Sequence, residues 1–304
     1  MVQKYGPHLC ILLGGACWGL LGLFNRSLLA GALVPRDVAL IRNFGGLLAL
    51  LAILLLFDRS ALKINWRHLP WFLGTGIVSV LLFTLLYFSC QQQCSLAVAA
   101  VLLYTAPTFV VLTSAVLWKE PVTRRKLAAL AAAFLGCSFV SGVWSGDVTV
   151  TVQGLLLGLG SGFFYAMYSI FGRYALAHYQ PMTVTFYTFV FAGLGSLLVS
   201  DPRRPAAALT ADSRLIWPAL GLVVVSTVLP YILYTRGLAK VESGKAAILA
   251  SVEPVVAALD GIAVLVNSKN PVEDLTHEEL AGLFSGELTD WGQAGGVPGP
   301  VACI

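Results

Sequence analysis

Apolar runs of about 20 residues, the length that crosses a bilayer as a helix, recur along the chain near 8–30, 37–57, 69–90, 95–118, 126–144, 153–174, 182–200, 215–235 and 244–266. Short polar, glycine- and proline-bearing segments separate them. The pattern predicts nine transmembrane helices. Lys4 ahead of the first run and Ala30-Gly31-Ala32 after it resemble a cleavable leader. A counterpart of that run lies inside the chain, so it reads as a retained helix.

Shifting the chain by 147 residues aligns it with itself. Phe24, Arg26, Leu29 and Ala30 fall on Phe171, Arg173, Leu176 and Ala177, while Leu86, Tyr87, Ala99, Ala100, Leu102, Pro107 and Leu112 fall on Leu233, Tyr234, Ala246, Ala247, Leu249, Pro254 and Leu259. One offset serves both stretches and carries a proline with it, which marks an internal repeat. A unit of five spans is odd, so the second copy enters the membrane upside down. Inverted repeats of this kind build many secondary transporters.

The repeat breaks once. The fifth span, 126–144, should recur at 273–291, but that stretch reads EDLTHEELAGLFSGELTDW. A single central Asp costs at least about 2.5–3.5 kcal/mol in a transmembrane helix, and this segment carries six acids. The expected fold is therefore an all-α membrane protein of two inverted five-helix repeats, 1–146 and 147–259, the second lacking its last helix. A short soluble α/β-like tail occupies 260–304. In it the pattern predicts an alternating strand, a turn at Pro271 and a helix opened by a Thr276–Glu279 capping box, with Leu275, Leu280, Leu283 and Phe284 on its apolar side.

Composition agrees with the pattern. The chain is 58% hydrophobic and 11% charged, against about 25% charged in soluble domains. The net charge of +4 matters through its distribution. Twelve lysines and arginines, among them Arg59, Arg124, Arg125, Arg236 and Lys245, fall in segments on the N-terminal side of the membrane, and only Arg26, Arg36, Arg203, Arg204 and Arg214 fall between spans on the other. The positive-inside rule makes the N-terminus cytoplasmic. It also accounts for the basic loops without nucleic acid. A multi-pass protein of a plasma membrane, read as a bacterial inner membrane, is expected.

The stretches WGLLGLFNRSL, ALIRNF, AAVLLYTAPTFVVLTSAVLWKEP and KAAILASVEPVVAAL, in this order, resemble the EamA family of the drug/metabolite transporter superfamily over residues 8 to 259. The resemblance implies an exporter of small metabolites or amino acids working by alternating access. The tail, DGIAVLVNSKNPVEDLTHEELAGLFSGELTDWGQAGG, resembles an internal piece of a periplasmic phosphate-binding protein of an ABC importer. That family's serine- and threonine-rich phosphate loops are missing, so no phosphate site is expected. A non-transporting truncated or chimeric membrane protein is the alternative reading.

Glu253 is the sharpest candidate for the substrate pathway. It sits about ten residues into its run, near mid-membrane at about 1.5 Å per residue, where an ionisable group faces a cavity or a partner. A carboxylate there can exchange protons or bind a substrate's amino group. A protonated glutamate bonded to a neighbouring helix is the plainer alternative. The repeat-mate of Glu253 is Ala106, so the acid breaks the symmetry. Pro107 and Pro254 free backbone carbonyls that can line a cavity, or simply kink their helices. Arg42 either snorkels outward or points inward to an anionic group. Gln91, with Gln92 and Gln93, closes the third span. Among the candidate aromatics Trp18, Tyr87, Tyr104, Tyr165, Tyr168, Tyr231 and Tyr234, we favour Trp18, Tyr104, Tyr165 and Tyr234 as cavity-lining.

Gly154, Gly158 and Gly162, followed by Ala166, form a close-packing stripe, and GLGSG at 158–162 lacks the strand, helix and Lys-Ser/Thr pair of a nucleotide loop. Cys90 and Cys94 share a helical face with no histidine or carboxylate beside them, so they read as packing residues and not metal ligands. The four histidines lie at span edges or in the tail, which leaves no nucleophile–base pair for an intramembrane enzyme. A small-molecule substrate, protons and the lipid bilayer are the expected partners, with no cofactor or metal.

Overall fold

The computed structural model describes residues 2–30, 33–140, 143 and 150–259, and in the tail 275–276, 279, 282–283, 288–295 and 298–299. The chain divides into two compact units, Met1–Asp260 and Gly261–Ile304. The first is a bundle of α1 (Val2–Gly19), α2 (Leu21–Leu29), α3 (Pro35–Phe57), α4 (Leu69–Leu73), α5 (Leu82–Gln91), α6 (Leu96–Leu103), α7 (Ala106–Trp118) and α8 (Arg124–Val140). It continues with α9 (Val152–Leu176), α10 (Pro181–Val199), α11 (Arg203–Ala211), α12 (Ile216–Val223), α13 (Leu229–Leu238), α14 (Ser243–Ala250) and α15 (Glu253–Leu259). Among the described residues no β-strand forms; Cys94 and Val150 make an isolated antiparallel bridge.

Local chemistry sets the helix starts. Pro35 supplies a preset φ at the head of α3, and Asp37 Oδ2 accepts the orphan Val34 N–H at 3.2 Å. Thr151 caps α9 by accepting from Gly154 N at 2.9 Å. α7 ends with Lys119 in the left-handed region, φ 54°, and Pro121 cannot continue the helix.

Among the described residues seven helical stretches are long and apolar enough to cross a membrane: Tyr5–Leu29, Pro35–Phe57, Trp66–Cys90, Val98–Trp118, Val152–Leu176, Pro181–Val199 and Ser213–Leu238. They correspond to seven of the nine predicted runs. α8, at 17 residues, and the short α14 and α15 cover the other two.

Two expectations about helix interiors need correction. Pro107 and Pro254 do not sit inside continuous helices. Each takes the second position of a new one, α7 and α15, after a break at Tyr104–Thr105 or Ser251–Val252. A proline removes one helical donor and its ring clashes with the preceding turn, so restarting the helix relieves both costs. The two breaks lie 147 residues apart. So do α5 and α13, each of which follows a wide π-helical turn, Gly74–Leu81 or Val224–Val228. π-turns cluster near functional sites.

Packing follows the same offset. α1 packs on α13, α14 and α15, and α9 packs on α5, α6 and α7. Glycines permit the closest approaches. A Cβ on Gly15 would lie 2.8 Å from Ala250 O, and one on Gly162 would lie 3.0 Å from Leu102 O and 3.2 Å from Leu103 O. Residues 147 apart thus meet each other's partners at the two helix breaks. Gly154 and Gly158 continue the predicted stripe along α9, against Cys94 and Cys90, both buried free thiols.

The bundle is apolar outside and buries a set of polar groups within a largely apolar core. Leu198, Phe57 and Val116 are 88%, 82% and 80% exposed, while Thr75, Thr188 and Ser226 are fully buried. Exposed side chains that apolar require lipid. Several of the buried polar groups pair with one another, as an interior without water favours: Thr188 donates to Thr75 at 2.8 Å, and Asn43 to Ser196 at 2.9 Å.

In the second unit, Thr276 and Glu279 make the predicted reciprocal cap. Thr276 N donates to Glu279 Oε2 at 2.8 Å and Glu279 N to Thr276 Oγ1 at 3.2 Å. These bonds favour the ionised acid and hold the Glu279 carboxyl below the usual carboxylate range. The predicted strand near 260–270 and the turn at Pro271 lie outside the described residues.

Candidate functional site

A cavity of about 360 Å³ runs into the bundle from the α2–α3 end. Trp18, Leu21, Gly22, Asn25, Arg26 and Leu29 line it at helical spacing, because that face of α1 and α2 turns inward. Val38, Ala39 and Arg42 of α3 form another wall. Phe83, Thr84 and Tyr87 of α5, Tyr104 and Glu253 complete it. Trp18 and Tyr165 make the floor, since both also line a second, smaller void of about 30 Å³ with Pro107, Tyr168, Tyr231 and Tyr234.

The floor is an aromatic stack. Trp18 lies 5.2 Å from Tyr231 and 5.3 Å from Tyr234, centroid to centroid, and 6.3 Å edge-on from Tyr165. Neighbouring polar groups satisfy two of the hydroxyls: Tyr168 bonds Thr235 at 2.6 Å, and Tyr234 bonds Ser169 at 2.7 Å. These bonds fix the rings and leave little room beneath Trp18.

Two opposite charges face the same cavity. Arg42 is 8% exposed; its Nη2 donates to Tyr231 Oη at 3.4 Å, and its Nε is buried without a partner. The reading that snorkels Arg42 to the membrane surface is not what the structure has: the side chain points inward and lies 5.9 Å from the Tyr231 ring centroid. Glu253 opens α15, immediately after the helix break, and lines the same cavity as Arg42. Among the described residues it makes no hydrogen bond or ion pair. Trp18 Nε1 and Asn25 Oδ1 are likewise buried without partners. Arg42, Glu253, Trp18 and Asn25 thus bring two opposite charges and two further polar groups to one cavity, a candidate site for a polar ligand.

Of the residues favoured from sequence, Trp18, Arg42, Tyr104, Tyr165 and Glu253 come together on the larger cavity, and Pro107 and Tyr234 on the smaller void. Pro254 is buried but lines neither. Gln91 closes α5, and its side chain lies outside what the structure describes. Sequence reasoning passed over Asn25 and Thr84, and did not favour Tyr231. Asn25 was discoverable, since it falls seven residues from Trp18 on one helical face. Tyr231 stood among the candidate aromatics, but nothing local singled it out, because its bond to Arg42 spans 189 residues. Among the described residues no group of three or more His, Cys, Asp or Glu could hold a metal ion.

With this geometry in view, comparison with known proteins is specific. The model of the EamA-like transporter family matches residues 7–142 and 152–271. An uncharacterized transporter of Archaeoglobus fulgidus is 30% identical over 224 residues, covering 72% of this chain and 75% of its own. A second from the same organism is 29% identical over 292 residues, 95% of this chain and 97% of its own. The threonine/homoserine exporter RhtA of Escherichia coli is 29% identical over 194 residues, 62% of this chain and 61% of its own. One crystal structure superposes with a TM-score of 0.69 at 18% identity, over 84% of this chain and 86% of that one, a likeness of fold. The chain belongs to the EamA-like transporter family and is a multi-pass membrane transporter.

Proposed function

We propose that this transporter exports small metabolites of the amino-acid class by alternating access, with Arg42 and Glu253 as the two charged poles of its binding site. The observation that carries the reading is the pair of opposite charges lining one cavity, from α3 and α15, that are not bonded to each other. Holding unpartnered charge inside a bilayer is costly, and a ligand that pairs with it recovers that cost. A guanidinium fork suits a carboxylate, and a carboxylate accepts from an ammonium. A free amino acid satisfies both poles; a simple amine or acid satisfies one. Trp18 Nε1, Asn25 and Tyr104 remain for a side-chain hydroxyl, and the exporter of threonine and homoserine among the relatives supports that class. Glu253 also serves as the group through which protons couple to transport.

The scaffold follows from the same reading. Nine spans cross the membrane when α8 and the α14–α15 pair are counted, with the N-terminus cytoplasmic and the cavity facing outward, in a bacterial inner membrane. Residues 1–146 and 147–259 are inverted repeats, the second lacking its last helix. The exchange of packing partners at an offset of 147, the matched helix breaks and the family model's two separate matches support this division. The tail from 260 is read as a fragment resembling a phosphate-binding protein. Its separation as a compact unit and its capping box favour that origin, whereas the family match running on to 271 weighs against a junction at 260.

Proteoliposomes loaded with L-threonine or L-homoserine test the proposal by counterflow. Glu253→Gln is expected to lower flux about 10- to 100-fold, the worth of a charge-assisted bond, and to flatten its pH dependence. Unchanged flux and pH profile would remove Glu253 from the mechanism. A C-terminal tag reactive from outside intact cells is expected; a cytoplasmic tag would refute nine spans.

A further inference from the structure

At the end of the bundle opposite the cavity mouth, five charges alternate in sign. Glu120, in the turn after α7, pairs with Arg173 of α9 and, at 3.5 Å, with Lys126 of α8. Lys126 pairs with Glu242 at 3.1 Å, and Glu242 with Lys245 of α14 at 3.2 Å. Exposure sorts these links. The Glu120 and Lys126 side chains are each 7% exposed, whereas Lys245 is 53% exposed. The buried centre therefore carries most of the coupling, and the outer pair adds little. Two of the links, Glu120–Arg173 and Lys126–Glu242, join the first half of the chain to the second. Arg173 is further held over the Trp118 ring, 4.3 Å from its centroid.

α7, α9 and α14 also carry the residues that close the small void, including Val110, Ser169 and Ala247. Opening a path from this end requires α14 to leave α7, and the links crossing between halves must break. The two ends are held unequally. Arg26, the mate of Arg173, stands at the cavity mouth and makes no ion pair among the described residues. The position equivalent to Glu120 is Asn267, that of Lys126 is Glu273, and those equivalent to Glu242 and Lys245 are Ser95 and Val98, so the charge order of the set is not repeated. At the mouth end the described residues hold one ion pair between the halves, Asp37 with Arg204 at 3.7 Å, and Arg204 is 45% exposed; the opposite end holds two such links joined through the buried Glu120 and Lys126.

We propose that the Arg173–Glu120–Lys126–Glu242 chain is a one-sided latch that holds the substrate-free transporter open at the cavity mouth and closed at the opposite, cytoplasmic end. This rests on the alternating-access reading and assigns its resting bias to residues that never touch substrate.

The test needs no substrate. In protein whose six native cysteines are replaced, Ala247→Cys reports the closed end and Leu29→Cys the mouth. Each is labelled with a membrane-impermeant maleimide, in inside-out and right-side-out vesicles respectively. Glu120→Gln is expected to raise labelling at position 247 about 10- to 100-fold and to lower it at position 29. Arg173→Gln, at a one-third-exposed side chain, perturbs folding less and should move both sites the same way by a smaller factor; Glu120→Asp should restore wild-type labelling. Unchanged labelling in both Gln variants overturns the latch, and so does a rise at both sites, which reports loosening of the whole bundle. Counterflow of L-threonine by the cysteine-free protein judges the transport reading separately.

Discussion

Replacing Gly162 with alanine probes the close crossing of α9 with the α6–α7 break. The added Cβ would sit 2.7 Å from Thr105 Oγ1, 3.0 Å from Leu102 O and 3.2 Å from Leu103 O. The two carbonyls belong to backbone at the α6–α7 break, and Thr105 Oγ1 is itself bonded to Leu102 O at 2.6 Å. Neither can swing aside as a side-chain tip would, so α9 must retreat by several tenths of an ångström. Overpacking of this kind costs about 1–3 kcal/mol, and rigid neighbours put the cost in the upper half of that range. For a chain of this size about 2–3 kcal/mol lowers Tm by roughly 4–10 °C. Thermal unfolding in detergent, followed by fluorescence-detected size exclusion, reads the change. Gly172→Ala is the internal control. Its Cβ would meet only Leu238 Cδ2, at 3.5 Å, an ordinary contact, and its Tm should hold or rise because alanine is the better helix former. Equal Tm values for Gly162→Ala and wild type, or an equal drop for Gly172→Ala, would refute the claim that the helix breaks are packed on backbone.

Gly15→Ala should repeat the Gly162 loss, since its Cβ would lie 2.8 Å from Ala250 O; a loss at one position but not the other in the same unfolding assay would count against the exchanged packing. Asn43→Ala removes the bond to Ser196 between α3 and α10 and should cost about 1 kcal/mol; Ser196→Ala should cost the hydrogen bond and also strand the buried Asn43 amide, whereas Ser196 keeps its bond to Ala192 O when Asn43 is removed; the two Tm shifts decide. The Glu242 carboxyl should show a specific pH signature. Burial pushes it up, but bonds and charges from Lys126 and Lys245 outweigh that and hold it below the usual carboxylate range. A depressed carboxyl contributes stability that is full above its unfolded value, about 4.3, and is lost as pH falls through the folded one. The Tm gap between wild type and Glu242→Gln should therefore be constant from neutral pH down to about 5 and close below the usual range; a gap that closes near neutrality would exclude these lysines as the cause.

Much of the scaffold was legible because lipid imposes a simple rule on sequence. A helix facing hydrocarbon must be apolar for about 20 residues, so the runs near 37–57, 153–174 and 182–200 announced α3, α9 and α10 by composition alone. The offset of 147 residues was legible too, and with it the correspondence of Pro107 with Pro254. What the offset could not convey was the helix restart at each proline. Breaking a helix there needs a neighbour that supplies or shields the freed carbonyls, and that neighbour is a glycine in the other half of the chain.

For the site, Glu253, Trp18 and Tyr165 stood out because an acid or a large amphipathic ring inside an apolar run requires a reason. Arg42 was left between two readings, since a sequence gives depth along a helix but not the direction a side chain faces among its neighbours. Tertiary structure alone turned it inward beside Tyr231, and it alone joined Glu120, Lys126, Arg173 and Glu242 into one chain of charge. Each of those residues looked like an ordinary flank of its own span. Their meaning lies in contacts between residues 53 to 116 positions apart, and local pattern carries no record of such distances, because the cost and the reward of a buried charge are both set by what folding brings beside it.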